Sequence, residues 1–418
     1  MEEKINKKIN EKSIMNYIEK HKFFIFFLII TALSLLLRSK MFNFVSDDYR
    51  DFLGPWFNQL KDGGGLFALK NQIGNYNAPY LTIMALLTYI PIPSLISIKL
   101  VSIIFDYLCA FAVAKIIEVL LKDNKNKQIF MLIGYSLVVF LPTVFLNSAC
   151  WGQADSIYTA FVLFSLLYLF KKKYTKSFIF LGIAFSFKLQ IVFILPLYIL
   201  MYISERKFSI YNFLIIPLVN VVMCIPSMLF GKSLASCLLV YLNQTGEYAQ
   251  FLTMNFPNIY SIFFKSNYTS MPNLIPNPND MIVTIGIYFT IFIFALIALM
   301  VLYKKVKFDN RAIIEFGIWS VLIATFFLPH MHDRYMYIAD LLGIIYLVYN
   351  KRKFYIPLII ELISLYTYMY YLYGFTAINI QIVSILNLIL ITFYSADMCK
   401  RYFLKKEDKN TDVIETTE

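Results

Sequence analysis

Apolar runs separated by short basic or polar breaks form the dominant pattern of this chain. A helix needs about 20 apolar residues to cross a bilayer. The pattern predicts helices at about 23–40, 97–121, 128–147, 153–170, 176–187, 190–203, 209–229, 281–303, 312–329, 335–350, 354–373 and 377–396. We therefore expect an all-α polytopic membrane protein, a bundle of about 11–13 transmembrane helices.

Two apolar regions are too short for complete crossings. If the run from Pro79 to Pro91 crossed the membrane, all later basic breaks would be on the wrong side. We therefore expect an interfacial or re-entrant helix there. The stretch between Lys173 and Glu205 must leave and return within about 30 residues, which at a rise of about 1.5 Å per residue permits only two short helices. Their turn falls at Lys188-Leu189-Gln190, and we expect Lys188 to face a wet cavity.

The composition excludes a soluble protein. Of the 418 residues, 59% are hydrophobic and only 15% are charged, which is too little polar surface for a soluble chain of this size. The net charge of +12 comes from lysines and arginines in the breaks, where they set membrane topology and do not indicate nucleic-acid binding. The five cysteines show no CxxC spacing and are interpreted as packing residues.

Placing the basic breaks in the cytoplasm divides the chain into three parts. Residues 1–22 form a cytoplasmic N-terminal segment, residues 23–397 the transmembrane domain, and residues 398–418 a cytoplasmic polar tail. A large first extracytoplasmic loop with juxtamembrane helices covers residues 41–94.

The same topology brings most of the remaining polar residues to the opposite, extracytoplasmic side. These are the loop from Asp47 to Asn77, the segment Trp151–Asp155, Lys188 with Gln190, the loop 231–280, and the segment Leu328–Tyr335. Two of the three histidines and nearly all charges without a topological role lie there. This sorting predicts one site, built from several loops over a helical bundle.

Three carboxylates, those of Asp47, Asp48 and Asp51, follow the first apolar run within five residues. Acidic groups at a bilayer boundary are costly unless a site needs negative charge or a base, so this group is a candidate for general-base chemistry. The alternative is that the carboxylates only solvate and cap a helix that begins at Tyr49.

The segment His330-Met331-His332-Asp333-Arg334 combines imidazole and guanidinium groups. His-x-His can chelate zinc, but a fixed cation such as Arg334 beside a dication is unfavourable, and arginine with histidine suits a phosphate better. The alternative is a helix end anchored among lipid headgroups. Lys188 is a second phosphate candidate, or a side chain that only snorkels to the interface. We predict no metal site from the residues, and a divalent ion stays open.

Trp151, Gln153 and Asp155 form a candidate sugar-binding group, because a ring can stack on a sugar and polar side chains can bond its hydroxyls. Trp151 by itself is equally typical of a membrane-interface anchor. Asp155, an acidic residue at the start of an apolar run, is stronger evidence for a site. Asp106, inside the run 97–121, is interpreted as structural.

Five segments occur in order along about residues 23–350. They are Asp48–Trp56, Asn75–Leu81, Trp151–Ser156, Phe185–Gln190 with Pro196, and Leu328–Tyr335. Together they resemble bacterial GPI-mannosyltransferase-like proteins of the glycosyltransferase C superfamily. The last segment usually reads His-Glu-Arg-Tyr in that family. Asp333 departs from this pattern, since its acidic side chain is one methylene shorter than that of glutamate.

The resemblance implies a glycosyltransferase C-like bundle that transfers a hexose, with mannose as the first candidate. The donor would be a polyprenyl-phosphate-linked sugar, the transfer inverting, and the active site on the extracytoplasmic face of the cell membrane. The acceptor would be a glycan, a lipid or a protein. No cofactor and no nucleic-acid partner are implied.

The resemblance also assigns roles by position. Asp48 becomes the catalytic base. The residues expected to hold the donor phosphate are Arg334, His332, Lys188 and His330. Those expected to shape the sugar or acceptor pocket are Asp47, Asn77, Trp151, Gln153, Asp155, Gln190 and Asp333.

Two other functions stay open. One is a polymerase or ligase that acts on a lipid-diphosphate glycan. The other is a transporter or flippase of lipid-linked sugars, which should place ionisable groups at the bilayer midplane and often contains internal repeats. Here the charges gather at one boundary and the sequence shows no repeat.

Overall fold

The computed structural model describes residues 11–268 and 271–404, most of which are helical. The α-helices are α1 (Glu11–Ser39), α2 (Gly54–Asp62), α3 (Ala78–Leu87), α4 (Ser94–Leu120), α5 (Lys127–Phe140), α6 (Pro142–Phe145), α7 (Asp155–Phe170), α8 (Tyr174–Phe187), α9 (Leu195–Glu205), α10 (Ile215–Leu229), α11 (Leu234–Leu238), α12 (Val240–Glu247), α13 (Ile259–Phe263), α14 (Asp280–Lys304), α15 (Asn310–Phe327), α16 (Tyr337–Tyr349), α17 (Tyr355–Tyr373) and α18 (Ile380–Cys399).

Short 3₁₀- and π-helical pieces extend or connect these helices. The 3₁₀ pieces are Gly65–Lys70, Leu189–Phe193, Ile210–Leu214 and Lys351–Lys353, and the π pieces are Tyr49–Leu53, Leu146–Trp151 and Lys400–Leu404. Of the predicted terminal segments, residues 1–10 and 405–418 lie outside the described residues. Residues 400–404, within the predicted polar tail, continue α18.

Every predicted apolar run coincides with helical structure, which confirms an all-α polytopic membrane protein. Among the described residues, seven helical segments are long and apolar enough to cross a membrane. The segments Lys127–Phe140 and Pro142–Trp151, bent by 50° at their junction, can supply an eighth crossing. The other apolar helices of the described residues are shorter: α3, α7, α8, α16 and the segments Leu189–Glu205 and Leu234–Gln244. The total of 11–13 crossings therefore stays a prediction.

The two short regions have the predicted local structure. The run that begins at Pro79 forms α3, a helix of 10 residues that cannot span a bilayer by itself. Helix α8 ends at Phe187, and Lys188 takes an extended conformation with φ −148° and ψ 143°. A 3₁₀ turn then leads into α9, so Lys188 lies at the turn between two short helices.

Arg38 of α1 and Asp106 of α4 form a fully buried ion pair that joins the first two long helices. The Arg38 Nη2 and Asp106 Oδ2 atoms are 2.9 Å apart. The Ser148 hydroxyl also donates to Asp106, and Arg38 donates to the Val139 carbonyl at 2.8 Å. Asp106 thus has the structural role that its position in the apolar run indicated.

Lys99 of α4 holds the chain that follows α1. Its ammonium is buried and donates to three main-chain carbonyls, those of Met41, Phe42 and Phe44, at 2.9, 3.1 and 2.6 Å. The side chain therefore caps carbonyl groups beyond the end of α1, where no helical partner remains for them. This contact, which we call the Lys99 clamp, fixes the entry to the loop that contains Asp48.

A small sheet lies over the helices, and the all-α prediction did not include it. Its strands are β1 (Phe251–Met254), β2 (Leu274–Pro276) and β3 (Met331–His332), in the order β2-β1-β3. β1 pairs with β3 in parallel, with Thr253 opposite Met331 and Met254 opposite His332. The sheet therefore fixes the segment that leads from α15 to Arg334.

We expect Arg38→Met to destabilise the protein by about 3–5 kcal/mol, because it leaves the Asp106 carboxylate buried without its counter-charge. The measurement is thermal unfolding of the purified protein in detergent. The matched control is the double variant Arg38→Met/Asp106→Leu, which removes both charges and should recover most of the loss. An equal loss in both variants would show that the ion pair is not the cause.

Candidate active site

A cavity of about 360 Å³ opens where α2, the turn after α8 and the segment before α16 meet. Eight of the twelve predicted site residues line it: Asp48, Gln153, Lys188, Gln190, His330, His332, Asp333 and Arg334. These residues come from four distant parts of the sequence. The predicted convergence of the polar loops is therefore present in the fold.

Asp48 lies at the cavity with its carboxylate held by three donors. Oδ2 accepts from Trp151 Nε1 at 2.8 Å and from Gln153 Nε2, and Oδ1 accepts from the Tyr371 hydroxyl at 2.7 Å. The Asp48 side chain makes no capping hydrogen bond to the helical piece that begins at Tyr49. The alternative interpretation of Asp48 as a helix cap is therefore wrong.

The Arg334 guanidinium lies among three carboxylates. Its Nη1 is 3.6 Å from Asp48 Oδ2 and 3.3 Å from Asp333 Oδ1, and its Nε is 3.2 Å from Asp155 Oδ2. The guanidinium carbon also lies 5.0 Å from the Trp151 ring centre, at cation–π distance. We call Arg334, Asp48, Asp155 and Asp333 the Arg334 cluster.

Asp155 lies behind the cavity wall, where it pairs with both site cations. Its Oδ1 is 2.7 Å from Lys188 Nζ, and its Oδ2 accepts from Asn147 Nδ2 at 2.9 Å as well as facing Arg334. The Asp155 side chain is completely buried. A sugar or acceptor contact, predicted for Asp155, is corrected to a role as counter-ion for Lys188 and Arg334.

Trp151 is also completely buried, so its predicted contact with a sugar is corrected. Its ring stacks on Tyr371 at 4.3 Å between centres with 17° between planes, and Tyr368 meets it edge-on at 5.2 Å. This packing leaves the indole N–H directed at Asp48. Trp151 thus orients the carboxylate and does not line the cavity.

The other two predicted residues outside the cavity have local partners. Asp47 is exposed and pairs with Arg50 at 2.9 Å. Asn77 is buried and donates from Nδ2 to the Ser186 carbonyl at 3.2 Å, which joins the start of α3 to α8. The predicted contact of Asn77 with the sugar or acceptor is corrected to a structural hydrogen bond, whereas the contact of Asp47 stays a prediction.

Irregular backbone presents Asp48 and its partners to the cavity. The π-helical piece Tyr49–Leu53 follows Asp48 directly, and the π-helical piece Leu146–Trp151 ends at Trp151. Such π segments occur frequently at functional sites because they redirect side chains. Gly152 then adopts φ +79°, which turns the chain so that both Trp151 and Gln153 reach Asp48.

The two histidines that line the cavity, His330 and His332, differ in their surroundings. Burial, and then the charges of Arg334 and Lys188, lower the pKa of His332 well below its usual value, so its imidazole is neutral at pH 7. His330 has φ +62°, and its Nδ1 donates to the Phe251 carbonyl at 2.6 Å, since a carbonyl only accepts. His332 can therefore supply a neutral N–H or lone pair, and His330 is held by β1.

Asp333 has a buried carboxyl group whose pKa lies above the usual value of an aspartate. Burial raises its pKa to about 7, since the opposing effect of Arg334 is smaller and the Asp48 carboxylate adds to the rise. The Thr367 hydroxyl donates to the Asp333 carbonyl oxygen of the main chain at 2.7 Å, which fixes the residue to α17. At neutral pH the cluster can therefore gain or lose one proton at Asp333.

Aromatic residues of the site were missed by the sequence analysis. Tyr371 donates to Asp48, and Tyr76 donates to Gln153 Oε1 at 3.3 Å while Lys188 Nζ lies 5.7 Å from its ring centre. The only available signal was the tyrosine-rich end of α17, where five tyrosines fall within residues 366–373. Which of them face the site depends on the rotation of the helix.

The cavity combines charge with an extended apolar wall. The apolar lining comes from Phe187, Leu189, Val192, Phe193, Leu328 and Met331. Among the described residues, no three His, Cys, Asp or Glu side chains are grouped so that they could hold a metal ion. The arrangement suits a ligand with an anionic head and an apolar chain.

No protein-family model matches the chain, and no curated protein has a significantly similar sequence.

We expect stability to depend on the titration of Asp333. Between about pH 4 and pH 7 the folded protein keeps a proton on Asp333 that the unfolded chain has released, so its stability falls as the pH rises through this window. Asp333→Asn removes that term. The Tm of the variant relative to wild type should rise by a few degrees from about pH 5 to about pH 8, measured by thermal unfolding in detergent.

Asp47→Asn, which changes an exposed carboxylate, serves as the control for this comparison and should leave the slope of Tm against pH unchanged. Parallel curves for Asp333→Asn and wild type would contradict the assignment.

Proposed function

We propose that this membrane protein is a glycosyltransferase that moves a hexose from a polyprenyl-phosphate-linked donor to a glycan, lipid or protein acceptor. The observation that carries the proposal is a carboxylate and a guanidinium, those of Asp48 and Arg334, 3.6 Å apart at one cavity with an apolar wall. A base and a phosphate-binding cation are the two groups that a displacement at a sugar–phosphate bond needs.

The reaction is a single displacement at the anomeric carbon. Asp48 accepts the proton of the acceptor hydroxyl while the acceptor oxygen bonds to that carbon. The bond between the carbon and the phosphate oxygen breaks, and the lipid phosphate leaves with the electron pair. Arg334 and Lys188 stabilise the charge that develops on the leaving phosphate, and the configuration of the sugar inverts.

The charges at the site favour a donor with one phosphate. Arg334 and Lys188 carry two positive charges, which Asp48 and Asp155 balance. A bound phosphodiester adds one negative charge to the cluster. Protonation of Asp333 removes one negative charge and so reduces the repulsion between the phosphate and the carboxylates. A diphosphate adds a second charge without a further cation at the cluster. This supports the hexosyltransferase over the polymerase or ligase of lipid-diphosphate glycans.

The apolar wall supports a lipid-linked donor. The residues after Lys188 continue from the charged cluster as an aliphatic and aromatic surface, including Leu189, Val192 and Phe193. A prenyl chain on such a surface is removed from water while its phosphate stays at the cluster, and apolar burial contributes about 25 cal/mol per Å². A free nucleotide sugar would gain nothing from this wall.

The transporter alternative is less well supported. Asp48 has three side-chain donors, and Asp155 is pinned by Lys188 and Asn147, which suits a fixed catalytic geometry. We propose that the cavity opens on the extracytoplasmic face of the cell membrane, since the basic breaks between the apolar runs favour the cytoplasm.

We expect Asp48→Asn to lower the transfer rate by about 10²–10⁴-fold, the range for loss of a general base, while donor binding persists. The measurement is transfer of radiolabelled sugar from a polyprenyl-phosphate donor by the purified protein. Asp51→Asn, an exposed carboxylate paired with Arg50, is the matched control and should stay active. Full transfer by Asp48→Asn would reject Asp48 as the base.

We expect Arg334→Gln to weaken binding of a labelled polyprenyl phosphate by about 10-fold or more, because a charge-assisted hydrogen bond contributes about 1.5–3 kcal/mol. Binding to the detergent-solubilised protein is the measurement, with Arg50→Gln as the exposed control. A polyprenyl diphosphate should compete less well than the monophosphate. Stronger competition by the diphosphate would favour the polymerase or ligase.

A further inference from the structure

A second cavity of about 550 Å³ lies where the segment after α13 and strand β2 meet the junction of α17 with α18. Its walls come from residues within the segments 264–268, 272–275 and 376–381, together with Tyr366 and Tyr370 of α17. None of these described residues lines the candidate active site or takes part in the proposed transfer. The second cavity is therefore a separate place where a ligand can bind.

The lining of the second cavity combines aromatic rings with neutral polar groups. Of its sixteen residues, four are aromatic and four, Asn267, Asn273, Asn379 and Gln381, carry amides. Amide and phenol groups can donate and accept hydrogen bonds, as sugar hydroxyls do. A sugar ring also has flat faces of C–H groups, which pack against aromatic rings as other apolar surface does. The lining therefore matches both kinds of surface that a sugar presents.

The charge of the lining argues against other ligands. Lys265 is the one charged residue among the sixteen, and it is exposed. A phosphate would meet no counterpart of the Arg334 and Lys188 pair at the first cavity. A lipid chain would cover amide groups without offering them hydrogen bonds, which is unfavourable. An uncharged ligand rich in hydroxyls meets neither difficulty.

The tyrosine-rich end of α17 is divided between the two cavities. Tyr366 and Tyr370 are four positions apart, so they share one face of the helix, and both line the second cavity. Tyr368 and Tyr371 pack against Trp151 at the candidate active site. Two tyrosines that have no part in holding Asp48 thus face a cavity of their own.

Hydrogen bonds fix the wall of the second cavity. Asn273 is buried, and its Nδ2 donates to the Tyr366 hydroxyl at 3.1 Å and to Asn255 Oδ1 at 2.9 Å. The Tyr366 hydroxyl donates to the Ile378 carbonyl at 3.1 Å. Asn255 in turn donates to the Thr367 carbonyl at 2.8 Å. The wall is held in place without a ligand, which reduces the entropy that binding must remove.

We propose that the second cavity binds an uncharged sugar chain. A sugar ring packs against the half-buried Tyr370, and its hydroxyls form hydrogen bonds with the amides of the lining. Because α17 separates this cavity from the candidate active site, a bound chain lies beside the residues that hold Asp48. The proposal goes beyond sugar transfer and does not depend on it, since binding needs no chemistry at Asp48.

The test is calorimetric titration of the full-length protein with linear tetrasaccharides of mannose, glucose, galactose and N-acetylglucosamine. The detergent must lack a sugar headgroup, because a maltoside would itself occupy the cavity. We expect at least one tetrasaccharide to bind. Tyr370→Ala should weaken that binding by about 10-fold, since it removes the ring on which the sugar packs.

A second variant and a matched control accompany this measurement. Ala377→Trp, at an exposed position of the lining, fills the cavity and should abolish binding. Tyr373→Ala removes an exposed tyrosine at the same end of α17, one that packs against Phe44 at 5.7 Å between ring centres, and should bind as wild type does. Thermal unfolding checks that each variant is folded.

The proposal is overturned if none of the four tetrasaccharides binds, or if wild type, Tyr370→Ala and Ala377→Trp bind equally well. Asp48→Asn should keep the wild-type affinity. A loss of binding in Asp48→Asn would place the sugar in the candidate active site and would also overturn the proposal. Because the readout is binding, its failure is distinguishable from failure of the proposed transfer reaction.

Discussion

The site depends on one guanidinium held among carboxylates. Arg334 is within 3.6 Å of Asp48, Asp155 and Asp333, and each carboxylate comes from a different part of the chain. A buried cation is costly without compensation, and so is each buried acid. The opposite charges offset one another's burial cost, so the cluster contributes to the fold as well as to any chemistry.

The surrounding structure supplies what that assembly needs. The Lys99 clamp fixes the approach to Asp48, the parallel pairing of β1 with β3 fixes the approach to Arg334, and the α8–α9 turn delivers Lys188. The carbonyls that Lys99 binds, the β1–β3 pairing and Lys188 all lie outside the regular helices. The long helices form the scaffold, and the interruptions between them present Asp48, Lys188 and Arg334 to the cavity, as expected where open backbone must be buried in protein.

The helices could be predicted because a run of apolar residues long enough to cross a bilayer has few other structures available. The convergence of Asp48 with Arg334 could be predicted too, since alternating basic breaks sort the loops by side. The buried position of Asp155 and the contact from Tyr371 could not. Both depend on how far each helix is rotated about its axis, and near-uniform hydrophobicity around α7 and α17 leaves no polar face to set that rotation. The three-stranded sheet was missed because its strands are only two to four residues long.

Gly152 illustrates how unequal the positions around the cavity are in their tolerance of change. An added Cβ there would meet only the Lys99 Cγ at 3.7 Å, an ordinary contact, so space does not limit the residue. The backbone conformation limits it instead, because an L-amino acid with a side chain at φ +79° costs roughly 1–2 kcal/mol of folding free energy. Relaxing that strain would swing Trp151 or Gln153 away from Asp48. A substitution of Gly152 would therefore disturb the Asp48 carboxylate through the backbone, without placing any atom in the cavity.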